Sequence, residues 1–308
     1  MLTLRFLALV VVAAASRVQL GGAQAPLSQL NATARGMAWV LAARAGLESW
    51  GKGVKLECSA PFLVGWYNAV RRKTAKGAHL IDASDQAVAF ALYSVPGYLD
   101  VIAEHYMRVQ PTERFIESAT NEALAELREL LPAHLDPLVV NVNEGPPFYH
   151  LHTVGLVAGL DQHLEAAYLG DPEWSAKLAS QLEASRQKAK ADWGDDTEKL
   201  RTIFGVSVHP DYGGWYSYRA IVVLRGANVT PSPPGPPEPL RFVPASEQKR
   251  ILKEYNLRRD LGYWRDLSAE HASAQRFLPE EYLFFTETST AKRQRFLELR
   301  AAAALSAA

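Results

Sequence analysis

The stretch at 205–219, GVSVHPDYGGWYSYR, constrains the fold most, because an apolar strand, a Pro and Gly reversal and an aromatic strand follow one another without a break. Val206 and Val208 alternate with Ser207 and His209, Pro210 and the Gly213–Gly214 pair offer turn geometry, and β-favouring residues resume from Trp215 to Leu224. The pattern predicts a hairpin with polar groups on a rigid turn. Strand alternation then puts Tyr216 and Tyr218 on one face and Trp215, Ser217 and Arg219 on the other.

Elsewhere, apolar spacing predicts helices over 36–50, from Tyr98 onward, and over 112–131, 148–169, 174–193, 245–261 and 279–304. Strands are expected at 85–95, which stops at Pro96 and Gly97, and at 138–142. In the segment 148–169, Gly155 and Gly159 lie one turn apart, where a second backbone or a flat ligand could approach closely. The run TPSPPGPPEP at 230–239 has too many prolines for a helix or a central strand and reads as an extended connector. Helices mixed with strands, and a hairpin late in the chain, indicate α+β. Residues 1–46 carry Arg5, Arg17, Arg35 and Arg44 but no acid before Glu48, with one short apolar run at 6–15. They read as a leader outside the fold, either a secretory signal or a transit-like segment, ahead of one domain over 47–308. The apolar run is too short to span a membrane.

Thirty-three basic and thirty-three acidic residues give a formal charge of zero, which removes the electrostatic footprint of a nucleic-acid binder. Cys58 is the only cysteine, so neither an intramolecular disulfide nor a cysteine-rich zinc site can form. No dinucleotide fingerprint, P-loop or serine nucleophile elbow occurs. His150, His152, His163, His209 and several arginines are scattered candidates for chemistry, and in a helical context His150 and His152 point to opposite sides, which disfavours a metal pair.

The 205–219 stretch, the run Pro-Phe-Leu-Val-Gly-Trp-Tyr-Asn at 61–68 and the run Tyr263-Trp264-Arg265-Asp266 together resemble the cobalamin type C family, the cytosolic cyanocobalamin decyanases and alkylcobalamin dealkylases. The resemblance implies a flavin-reductase-like, nitroreductase-related mixed sheet with flanking helices. It implies a cavity that holds cobalamin with its lower base detached, beside an arginine-lined pocket for glutathione. Position by position, the glutathione arginines fall on Arg219, Arg265 and Arg293, with Arg295 a rival for the last. The corrin contacts fall on Asn143, on Tyr149, His150, Leu151 and His152, on His163, Leu164 and Glu165 further along the same helix, and on Ser207 and Tyr218 of the hairpin. Ser207 stands where vertebrate members carry a cysteine, so no reaction that needs a thiol at that position can occur in this protein. The resemblance further implies glutathione-dependent dealkylation, decyanation by electrons from FMN or FAD, a cytoplasmic location, and delivery to the cobalamin type D trafficking protein, with a separate flavin reductase as a possible donor. Monomer and ligand-dependent homodimer both remain open, as do a non-catalytic cobalamin carrier or chaperone and an unrelated flavin-dependent oxidoreductase.

Overall fold

The computed structural model describes residues 18–20, 23–25, 32–74, 79–142, 149–193, 203–229, 235–259, 262–267 and 276–307. The chain divides into two compact units, the first comprising 1–159, 217–238 and 277–308 and the second 160–216 and 239–276. The 205–219 stretch therefore crosses from one unit to the other between Tyr216 and Ser217.

The first unit begins with an antiparallel pair, β1 (Val18–Leu20) and β2 (Ala23–Ala25), followed by α1 (Ala32–Gly53). Val40, Ala43 and Leu47 of α1 lie in the core, so packing starts before the boundary at 47 that the acid-free N-terminus suggested. Next come β3 (Leu56–Cys58), β4 (Phe62–Leu63), α2 (Val64–Thr74), β5 (Ala87–Ser94), α3 (Tyr98–Val109), α4 (Phe115–Leu130), β6 (Pro137–Asn141) and α5 (Leu151–Ala158). In the second unit lie β7 (Gln162–Leu164), α6 (Pro172–Trp193), β8 (Val206–Val208) and α7 (Ala245–Leu257); β9 (Ser217–Asn228), α8 (Pro279–Thr286) and α9 (Thr290–Ala307) return to the first. Among the described residues no helix is long and apolar enough to cross a membrane.

A five-stranded antiparallel sheet in the order β3-β5-β9-β6, with β4 also on β5, organises the first unit. Every residue of β5 is buried, as befits a central strand covered on both faces. Val88, Phe90 and Leu92 of β5 and Ala220, Val222 and Leu224 of β9 join residues of α1, α3 and α4 in one core cluster. The opposite face of β5 presents Ala87, Ala89 and Ala91, whose small size permits close packing, and α2 and α5 both touch this strand.

In the second unit β7 and β8 form an antiparallel pair. Leu164, Val206, Val208, Val243, Ile251, Leu252 and Trp264 pack as a separate small core. The Gln162 side-chain oxygen accepts from the backbone N–H groups of Phe242 (2.8 Å) and Val243 (2.9 Å), which ties β7 to the segment entering α7.

Three expectations are corrected. The strands β8 and β9 do not form a hairpin: β8 pairs with β7, and β9 with β5 and β6. The Pro210 reversal is closed instead by a bridge between His209 and Gly213. The two glycines serve close approach: a Cβ on Gly213 would lie 2.2 Å from the Arg265 carbonyl oxygen, and one on Gly214 2.5 Å from the Trp264 ring. The helix expected over 148–169 ends at Ala158, because Gly159 adopts a left-handed cap with φ of 59° and β7 follows. The C-terminal helix breaks after Thr286 and restarts at Thr290, giving α8 and α9.

Candidate functional site

The candidate residues divide between the units. Tyr149, His150, Leu151, His152, Tyr218, Arg219 and Arg293 belong to the first; His163, Leu164, Glu165, Ser207 and Arg265 belong to the second. Asn143 lies outside the described residues.

Arg219 owes its position to a bulge. The β5–β9 register pairs Tyr93 with Tyr218 and Leu92 with Ala220, so Arg219 is the extra residue, and its carbonyl accepts from Val142 N–H at 3.0 Å. A bulge redirects a side chain that simple alternation would place elsewhere. The expected opposition of faces over 215–219 therefore fails: Trp215 and Tyr216 precede the strand, and Arg219 sits on its irregularity. The Arg219 side chain is only 5 % exposed. Nε donates to Ser94 Oγ at 2.9 Å, while that hydroxyl donates to the Ser217 carbonyl at 3.3 Å. The guanidinium carbon lies 5.0 Å from the centroid of the Tyr98 ring and 5.7 Å from that of Phe285. The Tyr98 hydroxyl is fixed in turn by Thr120 Oγ1 at 2.9 Å. Among the described residues no carboxylate pairs with Arg219 and no group hydrogen-bonds its two terminal nitrogens. Burial lowers its pKa from the usual arginine value, opposed by Tyr98, Glu117 and Glu281.

Arg293 reaches the same helix end. Its Nε donates to the Phe284 carbonyl (3.2 Å), its Nη2 to that of Phe285 (3.4 Å), and its guanidinium carbon stands 5.7 Å from the Phe284 ring. Arg219 and Arg293 thus converge on Phe284–Phe285. Arg295 turns to solvent, paired with Glu298 at 3.3 Å.

The run 149–152 leads into α5. Tyr149 packs edge-on against Tyr67 with ring centroids 6.3 Å apart, and burial raises the pKa of both phenols. The Tyr67 hydroxyl accepts the His150 N–H at 3.0 Å and donates to the His79 carbonyl at 3.4 Å. His150 caps α5, its Nδ1 accepting the Thr153 N–H at 3.3 Å, so the ring proton of the neutral imidazole sits on Nε2. The His152 ring lies 5.5 Å from it. Leu151 is the first residue of the helix.

In the second unit His163, Leu164, Glu165 and Ser207 come together on β7–β8 and the residue after β7, where a continuing helix had been expected. His163 stands opposite Ser207, with Nδ1 3.2 Å from Ser207 Oγ and Nε2 2.9 Å from Glu165 Oε1. Leu164 fills the small core. A Cβ at position 205 would lie 2.7 Å from His163 Nε2, so any residue but glycine there requires the His163 and Glu165 side chains to shift.

Arg265 ends a single 3-10 turn, Tyr263–Arg265. Its carbonyl accepts the Gly214 N–H at 2.7 Å, and its Nη1 donates back to the Gly214 carbonyl. Its guanidinium lies between indoles, 4.4 Å from the centroid of Trp264 and 5.5 Å from that of Trp215. Trp215 Nε1 donates to Asp266 at 3.0 Å, and the Tyr216 hydroxyl donates to Asp161 at 2.6 Å. His209 organises the turn, Nδ1 accepting from Asp211 N–H at 3.0 Å. Among the described residues no group of three or more His, Cys, Asp or Glu side chains could hold a metal ion.

Sequence reasoning missed Ser94, Tyr98, Phe285 and Tyr67. Tyr67 lies inside the 61–68 run and could have been found there. The others reach Arg219 from distant parts of the chain and leave no local signal.

The model of the methylmalonic aciduria and homocystinuria type C family matches residues 55–297. Curated relatives named cyanocobalamin reductase / alkylcobalamin dealkylase include a protein of Bos taurus, 27% identical over 249 residues, covering 78% of this chain and 76% of that one. The protein of Homo sapiens under the same name is 26% identical over 249 residues, covering 78% and 75%. A solved structure, the B12-trafficking protein CblC of C. elegans, superposes with a TM-score of 0.64 at 16% identity over 85% of this chain and 96% of that one, which supports the same fold. With a family match that spans most of its length, this chain belongs to the methylmalonic aciduria and homocystinuria type C family.

Proposed function

We propose that this protein removes the upper axial ligand of cobalamin, the activity its curated relatives are named for, with glutathione as the nucleophile toward alkyl ligands. The observation that carries the glutathione half is Arg219. A buried ion costs several kcal/mol to desolvate, and each ring face returns about 2 kcal/mol of that. Among the described residues nothing hydrogen-bonds the terminal nitrogens; a planar guanidinium holds a carboxylate bidentately, and glutathione has two carboxylates. Arg293 adds a second positive charge at the same helix end. Such a field stabilises the thiolate over the thiol, and the thiolate attacks the alkyl carbon, forming a thioether and releasing cob(I)alamin. Ser207 in place of a thiol agrees with a nucleophile supplied by the ligand. On the same reading, Tyr149, His150, His152, His163, Glu165, Ser207 and Tyr218 contact the corrin, and Arg265 contributes to glutathione binding. Reduced flavin supplies electrons for decyanation, within a flavin-reductase-like fold. We place the protein in the cytoplasm, passing its product to the cobalamin type D trafficking protein.

The test is Arg219→Gln, assayed for methylcobalamin binding and for dealkylation across a glutathione titration. The expected result is retained cobalamin binding with dealkylation lost at low glutathione. Undiminished dealkylation at low glutathione would refute the assignment.

A further inference from the structure

Glu281 is a carboxylate only 1 % exposed, and no described cation pairs with it. It lies on α8, one turn before Phe285, so both side chains share a face of that helix. Oε1 accepts the N–H groups of Gly97 (2.9 Å) and Leu99 (3.2 Å), and Oε2 also lies 3.0 Å from the Gly97 nitrogen. Those N–H groups form the start of α3, where Gly97 occupies the cap position with φ of 96° and no side chain of its own to offer. The missing cap is thus supplied from nearly two hundred residues away in the sequence.

Tyr98, the residue between the two bonded amides, is one ring of the Arg219 slot, and Phe285, one turn along from the carboxylate, is the other. We infer that Glu281 is a positioning residue for the anion site: its carboxylate clamps the start of α3 onto α8 and so sets the spacing of the two rings that hold the Arg219 guanidinium. Glu281 does this without contacting Arg219. Its charge is satisfied by helix amides, so it does not occupy the terminal nitrogens that a ligand carboxylate needs, yet it contributes a favourable negative potential to the buried guanidinium. An ion pair at this place would hold Arg219 equally well and block the site.

The inference rests on the glutathione reading for its functional consequence, but the slot itself can be observed without ligand. The experiment uses the full chain with 15N-labelled arginine. Arg219 Nε–H, bonded to Ser94 Oγ in a buried setting, is expected to give a slowly exchanging NMR signal, assigned by its loss in Arg219→Gln. Glu281→Gln retains an oxygen where Oε1 accepts both amides, so it is expected to keep the signal and to bind glutathione within about threefold of the parent by calorimetry. Glu281→Ala removes the clamp and is expected to lose the protected signal and at least tenfold in glutathione affinity at a temperature where thermal melting shows it folded. If Glu281→Ala does not fold, Glu281→Asp takes its place, keeping the charge but falling one methylene short, with the same losses expected. A folded Glu281→Ala or Glu281→Asp protein with signal and affinity unchanged overturns the inference, as does a Glu281→Gln protein as impaired as Glu281→Ala. If the signal responds as expected while the parent binds no glutathione, the positioning role stands and the glutathione reading falls.

Discussion

Two arginines, one in each unit, are both held by aromatic rings, yet the fold supports them differently. Arg219 sits on a bulge of the large sheet with one neutral hydrogen bond, two ring faces and no counter-ion among the described residues. Arg265 sits on a 3-10 turn, exchanges backbone and side-chain hydrogen bonds with Gly214 and lies against two tryptophans. The first is a buried charge with no paired carboxylate among the described residues; the second knits the 3-10 turn to the Gly213–Gly214 bend. A residue kept at a cost to stability points to a ligand, whereas one that repays its place in packing need not.

Replacing each arginine tests that contrast. Arg219→Met should weaken glutathione binding by about 10- to 150-fold, the equivalent of one charge-assisted hydrogen bond of about 1.5–3 kcal/mol. The same change should leave unfolding in urea unaffected or raise its midpoint, because a buried uncompensated charge has gone. A fall in stability as large as the fall in affinity would mean that Arg219 is structural. Arg265→Lys should move stability the other way, lowering it by about 1–2 kcal/mol through loss of ring stacking and of the planar donor set. An unchanged urea midpoint would erase the difference between the two arginines.

A third arginine, Arg108, shows what a paired guanidinium looks like. It donates to both oxygens of Glu122, at 2.7 and 2.9 Å, and these hydrogen bonds, together with the contact of the buried His105 ring to the same carboxylate, lower the Glu122 pKa to about 2 from 4.5. A carboxylate depressed on folding stabilises the protein above its unfolded pKa, and that contribution disappears as pH falls from 4.5 toward 2. Glu122→Gln should therefore flatten the acid limb of stability, and because Glu122 also holds the buried His105 ring its cost at neutral pH should exceed the about 0.2–1 kcal/mol of an isolated exposed pair. An acid limb identical to that of the parent would show that the pair carries no linkage.

Much of the secondary structure was legible because it follows local period. The strand at 85–95, the helices at 112–131 and 174–193 and the start of α3 at Tyr98 emerge near their expected limits. The hairpin was not legible correctly, since the same Val-Ser-Val and Gly-Gly signals serve a strand that pairs with β7 and a bend pressed against residues 264–265. His163 to Glu165 were placed on a helix because apolar spacing over 154–168 fits a 3.6-residue period, and a single left-handed glycine was enough to end it.

The amino-acid order alone determined the α+β class and the family, because periodicity, turn residues and short motifs are properties of neighbours in the chain; Arg219 and Arg265 were singled out only by the family resemblance that those motifs carry. Tertiary structure alone decided that Arg219 is buried with no counter-ion among the described residues, that Ser94, Tyr98 and Phe285 form its slot and that Glu281 caps α3 from a remote helix. Those relations depend on burial and on contacts between distant segments, where the cost of a charge is set by what surrounds it rather than by what precedes it in sequence.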